Sequence, residues 1–251
     1  METNTKVAIV TGGGSGLGKE TALKLAENGA SITIVDVSEK SGKETVELIK
    51  AKGGESIFVK ADVSKAEEVK TYVEKTVAEF GRIDMFFNNA GISGPGLKLA
   101  DHTIEQFDQI IDINLKGAIY GMKYVIPEML KTGGGSIVNT ASTAGVVGVS
   151  NVSPYAATKH GIVGLTKTAA IEYGKENIQV NAIAPGTTET PMVKEFGEQN
   201  PETMKATVDS IPAGRLGKPE EVANLVSFLL GGQAPYITGV VVPIDGGVTA
   251  Q

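Results

Sequence analysis

Cysteine is absent from this chain, and histidine occurs only twice, at His102 and His160. Without cysteine there is no disulfide and no cysteine-ligated metal. Two isolated histidines do not make a His-rich catalytic zinc site, so no metal is expected, and both read as solvated or capping helix histidines. Long apolar runs are missing too, and none reaches the length of a bilayer span. The start, Met1–Thr5, is short and polar, and Val7–Val10 is only strand-length, which does not read as a signal peptide. An excess of basic charge is also lacking. Lysine and arginine number 23 against 29 acids, and the net charge of -6 argues against nucleic acid or an anionic membrane as partner. A cytoplasmic protein is the expectation these absences leave.

What is present is 251 residues, 41% of them hydrophobic, enough for one large α/β domain with a substantial core. Strand-like and helix-like stretches alternate from end to end. Val7–Val10 is followed by a helix to Ala26 that stops at Asn28-Gly29, then by a strand at 31–36. A helix at 40–52, a strand at 55–60, a helix at 66–80 and a strand at 83–87 continue the pattern. Residues 103–131 read as one long helix, 136–140 as a strand, and a helix runs from Tyr155 to about 173. Strand 178–183, polar helix and loop over 193–212, helix 219–230 and strand 237–243 complete the chain. No linker or repeat interrupts the alternation. It predicts a single Rossmann-type domain over 1–251, a doubly wound parallel sheet with helices on both faces.

Two stretches carry chemistry. The first is Thr11-Gly12-Gly13-Gly14-Ser15-Gly16-Leu17-Gly18, between a strand and a helix. Glycines there permit a tight turn and let backbone N–H groups approach a phosphate. Asp36 ends the next strand, the order of a dinucleotide-binding unit. A carboxylate at that point accepts hydrogen bonds from ribose hydroxyls and repels a 2′-phosphate. Val37 and Ser15 beside it are uncharged, so NAD is expected rather than NADP. The second stretch is Tyr155-Ala156-Ala157-Thr158-Lys159. Four-residue spacing puts the phenol and the ammonium on one helix face. An adjacent ammonium lowers a phenol's pKa, which suits the phenol to proton transfer with a substrate oxygen. Ser142, at the end of the strand before it, is placed to hold the same oxygen. No histidine accompanies Ser142 in a triad pattern, so a hydrolase reading lacks its base.

The chain resembles the short-chain dehydrogenases/reductases over essentially its whole length. The resemblance rests on the Gly-rich turn, Asp62, Asn88-Asn89-Ala90-Gly91, Asn114, Ser142, Tyr155-x-x-x-Lys159 and Pro185-Gly186. It implies that Tyr155 is the general acid/base, that Ser142 orients the substrate oxygen, and that Lys159 holds the nicotinamide ribose and depresses the Tyr155 pKa. It further implies that Asn114 supports a water path from Lys159. Cofactor contacts are expected from Gly12, Ser15, Gly16, Leu17, Gly18, Asp36, Asp62, Val63, Asn88, Ala90, Gly91, Tyr155, Lys159, Pro185, Gly186, Thr188 and Thr190. Two departures are visible: Thr158 stands where the family often has serine, and Thr188 where it often has isoleucine or valine. The segments around the site look most like members that act on cyclic alcohols and ketones. The expected function is therefore NAD-dependent interconversion of a small secondary alcohol and its ketone. The alternatives are a 3-oxoacyl carrier-protein reductase and a dinucleotide sensor without turnover. Residues 93–100, 143–153 and 187–213 are expected to wall the substrate pocket. A homotetramer is expected because Ile110, Ile113, Ala118, Ile162, Leu165 and Ala169 suggest helices that are apolar on more than one face.

Overall fold

Residues 5–250 are described by a computed structural model. The polar Met1–Asn4 segment and Gln251 lie outside them. The first half alternates strictly: β1 (Val7–Thr11), α1 (Gly16–Glu27), β2 (Ser31–Asp36), α2 (Glu39–Ala51), β3 (Ser56–Lys60), α3 (Ala66–Phe80) and β4 (Met85–Asn88). The second half holds α4 (Ile104–Ile110), a π-helical turn (Ile111–Lys116), α5 (Gly117–Lys131), β5 (Gly135–Thr140), α6 (Ser153–Tyr173) and β6 (Ile178–Pro185). It ends with α7 (Pro191–Gln199), α8 (Pro201–Ser210), α9 (Pro219–Leu230) and β7 (Val241–Ile244).

All seven strands pair in parallel in the order β3-β2-β1-β4-β5-β6-β7. The order reverses between β1 and β4, and in such sheets the crevice for a ligand opens beyond the carboxyl ends of those strands. Neighbouring residues point to opposite faces of a strand, so a sheet covered on both sides needs apolar residues at consecutive positions. Ile9, Phe86, Ile137 and Val180 pack on one face with Tyr72, Val125 and Met129. Val10, Phe87, Val138 and Ile183 pack on the other with Leu25, Val46 and Val226. Each such buried side chain contributes about 1.5–3 kcal/mol of burial free energy.

The structure corrects several expectations. The helix at 103–131 is not uniform. Thr103 caps α4 in a reciprocal box with Gln106, and the π-helical turn at Ile111–Lys116 follows, with Asn114 inside it. The last strand starts at Val241 rather than 237, because Gly239 takes a left-handed φ of 76° that breaks the extended chain. Side chains join two backbone bonds in tying that approach to β6: Thr238 Oγ1 accepts from Val180 N, and the Asn181 amide bridges Ile237 O and Val240 N, beside Gly239 N to Val180 O and Ala182 N to Val240 O. Residues 193–212 form most of two short helices rather than helix and loop. His102 is neither solvated nor inside a helix. It is buried before α4, with Nε2 donating to Leu97 O at 3.1 Å and its ring edge-on to Phe107. Of the six residues that suggested a second apolar helix face, Ile110, Ala118, Ile162 and Ala169 are buried within the chain itself, and Ile113 and Leu165 are half-buried against its core.

Candidate active site

A single cleft of about 600 Å³ runs across the carboxyl ends of β1, β2, β4, β5 and β6. One wall is the Gly-rich turn. Gly12 sits at φ 64°, and a Cβ on Gly18 would collide with the Gly12 carbonyl, so the turn and the start of α1 close tightly only on glycine. No acidic side chain stands in the first turn of α1, and Ser15 does not cap it with its hydroxyl. That leaves the partial positive charge of the helix start facing the cleft, where a pyrophosphate fits. Asp36 lines the cleft at the end of β2. Its Oδ2 accepts from Gly14 N and its Oδ1 from Ser38 N, both at 2.9 Å, so the carboxylate holds the Gly-rich turn as well as facing the cleft. Asp62, Val63, Val35 and Ala61 continue this end.

At the other end, β5 delivers Ser142 just past its last residue, and the first turns of α6 deliver Tyr155 and Lys159. Ser142 and Tyr155 line the cleft together, and the Ser142 hydroxyl accepts from Ala144 N at 3.2 Å. Lys159 is 3% exposed, and its Nζ donates to Thr140 O at 2.7 Å while standing 5.4 Å from the centre of the Tyr155 ring. Burial removes water from both groups and disfavours the charged form of each. The Lys159 ammonium is accordingly pushed down from 10.5 to about 8. The Tyr155 phenol is pushed up by burial, with the Ser142 hydroxyl pulling partly back. The expected lowering of the phenol by Lys159 is therefore not what this arrangement gives. Desolvation dominates at the phenol, and the ammonium is directed at a backbone carbonyl.

Most of the residues anticipated from sequence meet in this cleft: Gly12, Ser15, Gly16, Leu17, Asp36, Asp62, Val63, Ala90, Gly91, Ser142, Tyr155, Lys159, Pro185, Gly186, Thr188 and Thr190. Three do not line it. Gly18 lies beneath the turn, where it makes the close approach to Gly12. Asn88 is the last residue of β4 and faces the interior, donating to Ala118 O and to Asn139 Oδ1. Its neighbour Asn89 faces the cleft, with Nδ2 donating to Thr11 O and Oδ1 accepting from Thr140 Oγ1. Strand alternation is the signal that separates the two, because only one of two adjacent residues points each way. Asn114 is buried. Its Oδ1 accepts from Ile92 N and its Nδ2 donates to Ile92 O, each at 2.8 Å, so it clamps the loop after β4. Of the anticipated walls, Ser93, Thr143, Ala144, Val149, Val152, Thr187 and Pro191–Val193 reach the cleft, while 94–100 and 194–213 do not line it. Sequence reasoning missed Thr11, whose hydroxyl accepts from both Asn89 N and Ala90 N. It also missed the Thr140 carbonyl that holds Lys159.

Chemically, the cleft offers a seat for a dinucleotide at one end and a phenol, a hydroxyl and a buried ammonium at the other. Among its lining residues the only charged ones are Asp36, Asp62 and Lys159. The substrate end is walled by Ile92, Val149, Val152, Met192 and Val193, and Ser93 Oγ meets Met192 Sδ at 3.7 Å across its mouth.

Residues 12–249 match the family model described as enoyl-(acyl carrier protein) reductase. The chain is 44% identical over 248 residues to a cyclohexanol dehydrogenase of Acinetobacter sp. (strain SE19), covering 99% of this chain and 96% of that one. It is 45% identical over 254 residues to a levodione reductase of Leifsonia aquatica, covering 98% and 94%. A crystal structure of levodione reductase superposes with a TM-score of 0.93 at 44% identity, covering 98% of both chains. That of an NAD+-bound xylitol dehydrogenase superposes with a TM-score of 0.94 at 36% identity, covering 98% of this chain and all of the other.

Proposed function

The chain belongs to the short-chain dehydrogenase/reductase family, and on that premise we propose that it interconverts a small, cyclic secondary alcohol and its ketone with NAD. The observation that carries this reading is the meeting of Ser142, Tyr155 and Lys159 in the same cleft as the Gly-rich turn and Asp36. The nicotinamide, when bound, supplies the hydride acceptor or donor. The protein supplies orientation and proton management. In oxidation, the Ser142 hydroxyl holds the substrate oxygen and the Tyr155 phenolate takes its proton; in reduction the phenol returns it. Lys159, pushed down to about 8 and beside the phenol, still carries a proton near neutral pH and so holds positive charge where the phenolate forms.

The cofactor assignment rests on Asp36. A phosphate 4 Å from its carboxylate meets about 4 kcal/mol of repulsion at an effective dielectric near 20. Val37, 61% exposed beside it, offers no countercharge. The substrate assignment rests on the apolar, uncharged wall of Val149, Val152, Met192 and Val193, which suits a ring with one oxygen better than a polyol. A carrier-protein substrate calls for basic surface at the mouth, whereas Val149 and Met192 stand exposed there.

We also propose a homotetramer of cytoplasmic location. Among the described residues no helix is long and apolar enough to cross a membrane. Ile119 and Leu130 on α5 and Ile171 on α6 keep apolar surface outward on the helices expected to pair. The deciding experiment is initial-rate measurement of NADH formation with cyclohexanol, a linear secondary alcohol and xylitol, and of NADH consumption with the ketones and a 3-oxoacyl thioester. Preference for the cyclic pair supports the reading, and preference for the thioester overturns it. No turnover of any substrate, with NADH still bound, returns the sensor alternative. Light scattering at micromolar concentration tests the tetramer, and a monomer overturns it.

A further inference from the structure

Threonines inside the helices of this fold mostly turn their hydroxyls back to a carbonyl four residues earlier, as Thr45, Thr71, Thr76 and Thr166 do. Thr158 differs. Its hydroxyl reaches three residues back and donates to the carbonyl of Tyr155 at 2.7 Å. The same oxygen accepts from Asn114 Nδ2 at 3.3 Å. Asn114 in turn grips both backbone groups of Ile92, just past Ala90 and Gly91. The result is one continuous chain of hydrogen bonds, from the loop that walls the cofactor seat, through the π-helical turn, to the backbone of the proton-transferring tyrosine. Thr158 is 1% exposed and does not line the cleft.

We propose that Thr158 is a positioning residue, whose hydroxyl couples the Tyr155 backbone to Asn114 and so sets the phenol against the loop Ala90–Ile92. This rests on the reading of Tyr155 as the proton donor and acceptor. Valine matches threonine in shape but has neither the donor nor the acceptor. Thr158→Val therefore strands one N–H of Asn114 and frees the first turn of α6 to rotate relative to the loop. Serine keeps both hydrogen bonds. A small misplacement of a reacting group costs turnover more than binding.

The test uses the full chain with NAD and cyclohexanol, comparing Thr158→Val, Thr158→Ala, Thr158→Ser and Tyr155→Phe. The expected result is a fall in kcat of about ten- to a hundredfold for Thr158→Val. The Kd for NADH stays at the wild-type value, and the rising limb of the kcat–pH profile moves to higher pH. Thr158→Ser restores wild-type kcat and profile. A Thr158→Val protein with a lower Tm but unchanged kcat and pH profile overturns the proposal, because that is the signature of a purely structural threonine. Should Thr158→Val not fold, the Thr158→Ala and Thr158→Ser pair decides: loss in Ala alone supports the proposal, and equal kcat in both overturns it. Turnover retained by Tyr155→Phe brings down the underlying reading and this proposal with it. Turnover abolished in Tyr155→Phe but intact in Thr158→Val removes only the role of Thr158.

Discussion

At the end of the cleft beside the Gly-rich turn the charged groups are half-exposed carboxylates, and each is held by backbone or neighbouring polar hydrogens. Asp36 accepts from Gly14 N and Ser38 N, and Asp62 Oδ1 accepts from the N–H and hydroxyl of Ser64. At the reactive end the charged group is a lysine with almost no exposure, held by the Thr140 carbonyl beside the Tyr155 ring. The first end keeps its charges close to water, as the proposed recognition of the cofactor needs. The second withdraws its charge from water, so that burial brings the ammonium near neutral pH. Recognition needs a fixed charge, and proton transfer needs one that is cheap to change.

The largest effect expected from breaking this contrast is at the phenol. Tyr155→Phe removes the proton donor while leaving the ring, and kcat should fall by about a thousandfold with NADH affinity nearly intact. Single-turnover rates and NADH fluorescence titration check this together.

The next effect concerns the buried ammonium. Lys159 in the folded chain titrates at about 8 rather than 10.5. Between those values the unfolded chain binds the proton more, so stability rises with pH across the window. Below about 8 the cost of burying the charge is present in full. Cofactor-free wild type should therefore gain on Lys159→Met by on the order of 3 kcal/mol as pH rises from about 8 towards 10.5. Urea unfolding of both proteins along that range measures the difference. Parallel curves would show that the ammonium is not desolvated.

At the recognition end, Asp36→Ala together with Val37→Arg should move the NAD/NADP ratio of kcat/KM towards NADP by about ten- to a hundredfold. High salt should narrow the shift, because this end is open to solvent. The smallest effect lies at the mouth. Met192→Ala opens the apolar wall and should change kcat/KM for cyclohexanol by only about threefold. It should narrow the preference for cyclohexanol over a bulkier cyclic alcohol.

Legibility in the sequence followed the same division. The Gly-rich turn, Asp36 and the Tyr155/Lys159 spacing depend on neighbours within a few residues, and each stands in the cleft where local periodicity placed it. Asn88 was harder: alternation says that only one of two adjacent asparagines faces the cleft, and which one is decided by the partners that the packed chain brings to each. The π-helical turn was invisible as well. Its six residues have ordinary helical composition, and the wider turn accompanies an Asn114 whose side chain grips a loop twenty-two positions away.

What the sequence by itself determined was the alternation of strands and helices, hence a parallel sheet covered on both faces, and the identity of the groups at each end of the cleft. These follow from side-chain period and backbone freedom, which are local. Only the tertiary structure decided the electrostatic state of the site and the direction of its side chains. The fall of Lys159 to about 8, the rise of Tyr155 and the hold of Thr140 O on the ammonium all come from strands and helices distant in sequence. A pKa records how much water and which dipoles surround a group, and that surrounding exists only once the chain has closed over it.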